Sequence, residues 1–375
     1  MPACLKNLSA PGAEGPEEPL PPFRALAAAT LLVAAVYAYF LIFAQFGFLQ
    51  QLVLASAGGA ALLQPVLAVM GAGGIVASAL AARWHRPERA RGGLAACLVM
   101  SGLAAGLARF ANSTAGFLGS AALVGAGLGG VTVLLAASIR AAVGGRRLGL
   151  VLGTGTGLAY GFCNLPPVFH ADPNQQAVIA LVAAAMGLIA VPGLRRGSPA
   201  SPPSRPAARA VAAWTIAFLA LVWLDSAAFY VIQHNPVLHA ATWSGVAPLY
   251  MNAFLHLAAA VAAGWCLDRG GLAGVTLAAA VLLAAACPLL AVAPTVAALL
   301  YVSGVSFYST ALVYYPAASG RASVAAVIYA VSGWTGSALG IAMVQHRQDI
   351  PGWVPALMLA AVAGALGARG EMKIN

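Results

Sequence analysis

Long apolar runs alternate with short polar breaks along the whole chain. Inside a run the apolar residues are continuous, without the in-out alternation of a membrane strand, so the runs read as helices. Most approach the roughly 20 residues that a helix needs to cross a bilayer. Twelve helices are predicted, the first six over residues 24–49, 58–82, 93–110, 114–139, 148–169 and 176–194. The second six cover 210–233, 246–267, 272–292, 294–316, 322–345 and 352–368. Between the two sets lies the longest internal polar stretch, which contains SPASPPSRP. The predicted organisation is a tail over 1–23, a bundle over 24–194, a linker over 195–209, a bundle over 210–368 and a tail over 369–375. The fold class is all-α and polytopic: twelve transmembrane helices in two pseudo-symmetric six-helix bundles.

Composition removes the soluble alternative. Hydrophobic residues make up 61% of the chain and charged residues 7%, against about 25% charged in soluble domains. The solvent is therefore the lipid bilayer. The 42 glycines suit close helix packing, where small residues let backbones approach. The net charge of +10 raises the question of nucleic acid, but the basic residues have a better explanation. Of 19 Lys and Arg, all except Arg109 and Arg347 fall on one side of the twelve-helix arrangement. The positive-inside rule then makes that side, with both termini, cytoplasmic, as expected of a protein of a bacterial inner membrane. No nucleic-acid partner is expected. The proline-rich N-terminal segment lacks a basic region followed by an apolar core, and reads as a cytoplasmic tail. The five cysteines show no CxxC and no zinc spacing. The run Gly153-Thr-Gly155-Thr-Gly157 has no Walker lysine after it and reads as a packing face or bend, so no nucleotide and no cofactor is implied.

Two loops carry motifs. After the eighth helix the chain reads Gly264-Trp-Cys-Leu-Asp268-Arg269-Gly-Gly271, and after the second it reads Ser78-Ala-Leu-Ala-Ala-Arg83-Trp-His-Arg86. The first resembles the G-x-x-x-D-R-x-G signature of the major facilitator superfamily. The second is similar to it, with Ser78 for the glycine and Ala82 for the aspartate. Gly125-Ala-Gly127-Leu-Gly129-Gly130 before Arg146-Arg147-Leu-Gly149 also resembles that family's fourth-to-fifth helix region. The resemblance implies a transporter working by alternating access, with Asp268, Arg269 and Arg83 as a cytoplasmic latch. Its seventh helix would line a central cavity.

Ionisable residues inside spans are costly, and so become candidates for function. The seventh predicted helix places Asp225, Ser226, Phe229, Tyr230 and Gln233 within an arc of about 140°. Asp225 stands 16 residues beyond Arg209, roughly 24 Å along the helix. Desolvation there favours the protonated carboxyl, which could carry a proton. The eighth helix puts Asn252 and His256 on one face at i, i+4. Softer candidates are Tyr37 and Gln45 on the first helix, and Thr156, Tyr160 and Asn164 on the fifth. Trp334 beside Gly333, Gly336 and Gly340 is a packing stripe with one aromatic within reach of the cavity. Tyr314, Tyr315 and Pro316 read as a membrane-interface belt.

Four histidines, His170, His234, His239 and His346, fall near the outer side, with Met251 nearby as a soft donor. They raise transition-metal uptake, copper for example, as an alternative function. The main expectation is a secondary transporter of a small solute, coupled to protons through Asp225 and His256. A non-transporting subunit of a larger membrane complex is a further alternative, motivated by the worn first motif. No nucleophile–base pair or carboxylate dyad lies within the spans, so no enzyme is expected.

Overall fold

The computed structural model describes residues 22–55, 59–194, 206–345 and 349–368. The two tails apart from Pro22 and Phe23, all but four residues of the linker, and His346 with Arg347 lie outside the described residues. Every regular element described is helical. The long ones are α1 (Phe23–Leu54), α2 (Gly59–Trp84), α3 (Ala90–Ala108), α4 (Thr114–Val143), α5 (Leu148–Cys163) and α6 (Pro173–Ala190). After the linker follow α7 (Ala208–His234), α8 (Val246–Leu267), α9 (Leu272–Val292), α10 (Pro294–Ser319), α11 (Ala322–Val344) and α12 (Trp353–Ala368). Large apolar side chains such as Leu103, Ile216, Phe254 and Val281 are exposed along these helices. In water that surface would be a liability, whereas lipid covers it. The protein is an integral membrane protein.

Several ends differ from the sequence reading, for local reasons. The fifth helix stops at Cys163, because Pro166 and Pro167 lack the N–H that would continue its ladder. A short helix, Pro166–Phe169, completes the crossing. Asp172 caps α6 in a reciprocal capping box with Gln175, so α6 starts earlier than expected. A helix was missed over Pro236–Trp243. Asn235 caps it through the N–H groups of Val237 and Leu238, with Pro236 in the first turn. In α1 and α11 the ladder widens to π-helix over Phe40–Gly47 and Ile328–Thr335.

Packing repeats under a shift of six helices. In the first bundle α4 lies against α2 and α3, α1 against α5 and α6, and α3 against α6. In the second, α10 lies against α8 and α9, α7 against α11 and α12, and α9 against α12. The bundles meet where α2 crosses α11, where α5 crosses α8, and where α10 touches α4 and α5.

Glycine makes the α5–α8 contact possible. Gly149, Gly153, Gly157 and Gly161 recur every four residues and form one helix face. A Cβ on Gly149 would collide with the Gly264 carbonyl, and one on Gly153 with the Ala260 carbonyl. Gly155 points the other way, against Val33 of α1. The packing reading of this run therefore fits the geometry. On α11, Gly336 and Gly340 seat against α7, while Trp334 covers Gly74 of α2 and is not turned to a central cavity. Gly153→Leu should lower the thermal midpoint in detergent by a few degrees, from about 1–3 kcal/mol of overpacking. Gly119→Leu, where a Cβ meets open space, should leave the midpoint unchanged. Equal midpoints for the two variants would refute the close-contact role.

Candidate functional site

α10 is the organiser of the interior polar groups. Tyr301 and Tyr308 are seven residues apart, two turns, and so share a face. Both phenols donate to Asp225 of α7: Tyr301 to Oδ1 at 2.8 Å, and Tyr308 to Oδ2. One turn along α10, Ser306 meets His256 Nδ1 of α8 at 2.7 Å. The Ser306 hydroxyl donates its single proton to the Val302 carbonyl at 3.0 Å. Tyr160 of α5 stacks on the His256 ring at 4.4 Å and bonds Ser309 Oγ at 3.1 Å. Tyr37 of α1 donates to the Ser309 carbonyl at 3.4 Å.

This cluster draws on both bundles. Tyr37, Tyr160, Asp225, His256 and Tyr308 lie 11 to 17 residues from the ends of their helices on the arginine-rich face. That is a depth of roughly 15–25 Å. Among the described residues Asp225 is the carboxylate lying well inside a span.

The bundles touch above and below it. On the arginine-rich face Asp268, just past α8, accepts from the backbone N–H groups of Gly149 at 2.5 Å and Leu150 at 2.9 Å. Those are open donors of the first turn of α5, where Arg147 supplies no side-chain cap. Asp268 thus caps a helix of the other bundle, and its charge suits the positive helix end. Burial pushes its carboxyl above the usual aspartate range, against the pull of those two donors and of Arg269. Nearby, Arg140 of α4 donates to the Ala318 carbonyl in the last turn of α10, the favourable end for a cation. On the opposite face Phe46, Phe169, Phe229 and Trp243 form an aromatic plug drawn from both bundles. Phe46 lies 5.3 Å from Phe229 and 5.7 Å from Phe169, and Phe229 lies 5.3 Å from Trp243, by ring centroids.

Of the nine expected pocket residues, Asp225, His256, Tyr37 and Tyr160 come together. Asn252 turns away and donates to the Thr242 carbonyl of the short outer helix. Asn164 donates to the Tyr160 carbonyl of its own helix. Tyr230 stacks on exposed His234 at 4.0 Å, at the end of α7. Gln45 and Gln233 are half-buried, each eight residues past Tyr37 or Asp225 towards the plug. In the latch set Arg269 lies over its neighbour Trp265, 3.5 Å from the ring centroid, and Arg83 is exposed. Neither joins the Asp268 contact. The second motif has Ala82 where a cap for α11 would stand, and Arg321 offers α11 no side-chain cap.

Tyr314 and Tyr315 are buried, and Tyr315 packs on Trp214 at 5.4 Å, so they form core and not an interface belt. Tyr301, Ser306 and Ser309 were missed, although the seven-residue spacing of Tyr301 and Tyr308 was a readable sign. The outer histidines sit apart in role. His234 bonds the Tyr230 carbonyl, His239 lies 3.4 Å from Ser244 Oγ, His170 is exposed beside Phe169, and Met251 is exposed. Burial and nearby His170 push the His239 imidazole below its ordinary range. Among the described residues no three His, Cys, Asp or Glu side chains converge as a metal site. A cleft of about 770 Å³ beside Gln51, Arg109 and Asp172 shares no residue with the interior cluster.

No protein-family model matches the chain, and no curated protein matches it. Solved structures do. The major facilitator superfamily transporter FucP, in the outward conformation, superposes with a TM-score of 0.60 at 16% identity, over 94% of this chain and 99% of FucP. The proton:xylose symporter XylE, bound to 6-bromo-6-deoxy-D-glucose, gives 0.66 at 12% identity over 92% and 94%. The human organic anion transporter MFSD10 gives 0.58 at 14% over 92% and 97%. The fold is therefore that of the major facilitator superfamily, as the sequence motifs led us to expect.

Asp268→Ala removes the shared cap and leaves the Gly149 and Leu150 N–H groups without it. Losing such a cap costs about 0.5–2 kcal/mol. Spin-label distances between the arginine-rich ends of α5 and α8 should broaden towards longer values. An unchanged distribution would show that the contact does not hold the bundles together.

Proposed function

We propose that this chain, built on the major facilitator fold, is a secondary active transporter of a small solute and that its transport is coupled to protons. The observation that carries the reading is the Asp225 carboxylate held between Tyr301 and Tyr308 inside the span, towards its outer half. A charge in that position is expensive unless it is paired or neutralised. Protonation neutralises it, and a change of bundle arrangement alters its partners, so proton binding and conformation are linked. The proton:xylose symporter among the structural neighbours is one precedent for proton coupling on this fold.

In this reading Asp225 carries the proton and His256 tunes it through Ser306 and the Tyr160 stack. Tyr37, Tyr160, Tyr301, Tyr308 and Ser309 shape the pocket. Asp268 is the working part of the latch, with Arg140 beside it, and the arginine-rich face is cytoplasmic. The Phe46–Phe229–Trp243 plug closes the outer side. With contacts on both faces, the arrangement is an occluded intermediate of alternating access, and opening either side requires one set of contacts to part.

The test is transport by the full chain in proteoliposomes with a pH-sensitive dye inside. The panel holds neutral sugars, amines and organic acids. At least one solute should drive proton movement in the wild type. Asp225→Asn should reduce that movement at least about a hundredfold while leaving the melting profile intact, and Tyr308→Phe should reduce it less. Proton movement by no solute, or full activity in Asp225→Asn, would overturn the proposal.

A further inference from the structure

We infer that the solute is a monovalent organic cation with an apolar or aromatic body, and that it exchanges for the proton on Asp225. The inference rests on the transporter reading above and names its substrate class. It comes from accounting for the donors and acceptors of the interior. Tyr37 and Tyr160 are committed to Ser309, and His256 to Ser306. Tyr301 and Tyr308 spend their hydroxyl protons on Asp225. A sugar needs many free donors and acceptors to replace its hydration, and here most of them are engaged with one another. An anion needs a counter-charge, and no Lys or Arg is among these residues.

What stays open is a carboxylate and ring faces. An ionised carboxylate has about four acceptor positions, and the two phenols use two of them. The rings of Tyr301 and Tyr308 flank this charge, and Tyr160, one face of which is covered by His256, lies within its electrostatic reach. Aromatic faces attract cations, more strongly when desolvated. The titratable groups around Asp225 are Tyr301 and Tyr308 of α10, Cys287 of α9 and Tyr160 of α5. Behind Tyr160 stand His256 of α8 and Tyr37 of α1. From α11, Tyr329 lies within electrostatic reach of Tyr37. One negative charge has two possible neutralising tenants, a proton or a cation, and they exclude each other. Binding releases one proton: the carboxylic acid and the cation give a carboxylate–cation pair, and the proton passes to water.

The probe is trimethylphenylammonium, which has a permanent charge and a ring, with tert-butylbenzene as its neutral isostere. Both are titrated into the purified full chain in weakly buffered detergent solution across pH 5 to 8. The cation should bind at least tenfold more tightly than the isostere. It should release about one proton per molecule at the acid end, and its apparent affinity should fall about tenfold per pH unit there. Asp225→Asn should lose both the binding and the pH dependence. Should Asp225→Asn not fold, Tyr308→Phe keeps the carboxylate, so cation binding should persist with a displaced pH profile. A sugar or an organic acid driving proton movement in the liposome assay, with no cation binding, overturns the cation inference and leaves the transporter standing. Proton movement by no solute overturns both. Cation binding without proton release overturns the exchange.

Discussion

A lone carboxylate inside a span of a membrane protein dictates much of what surrounds it. Left bare in a low-dielectric interior, Asp225 would cost many kcal/mol, so the fold must supply partners. It does so from a neighbouring helix, α10, with two phenols on one face. That choice fixes the rotation of α10 against α7. Further round α10, Ser306 and Ser309 engage His256, Tyr160 and Tyr37. Three further helices are thereby tied to α10. The polar interior is a single network, and low dielectric makes each of its bonds matter more than it would in water.

The network belongs to both bundles. The contacts that close it are of a kind that can be exchanged. On the arginine-rich face, Asp268 caps a helix to which it is not covalently continuous, and Arg140 bonds a carbonyl across the interface. Both are satisfied by water when they part. On the other face the closure is aromatic edge-to-face packing, which leaves no polar group unpaired when it parts. Between them the glycine face of α5 lets backbones approach α8 with little interdigitation. Smooth surfaces of small residues rock more easily than meshed ridges of large ones.

The two halves share a packing plan but have diverged in chemistry. The Asp268 cap of α5 has no counterpart on α11, because Ala82 stands where the carboxylate would be. Intramembrane ionisable residues lie in the second bundle, at Asp225 and His256, while the first contributes tyrosines. A division follows in which the second bundle holds the intramembrane carboxylate and imidazole and the first supplies surface. Such a division fits a site whose occupant is recognised by charge on one side and by ring faces on the other.

The sequence alone determined the twelve long helices and the membrane as solvent. Hydrogen bonding in lipid must be satisfied within each span, so apolar runs of the right length leave little choice. It also picked out Asp225, His256, Tyr37, Tyr160 and Asp268, because polar residues in such runs stand out. It failed where two kinds of information were needed at once. Asn252 shares a helix face with His256, but the missed helix Pro236–Trp243 captured it. Arg269 follows Asp268 in sequence, yet α8 ends with the two side chains pointing apart. Tyr301 and Tyr308 show a face but not what the face meets. Periodicity reports the direction in which a side chain leaves its helix. Only the packing of α10 against α7, α8 and α5 decided what it would find there.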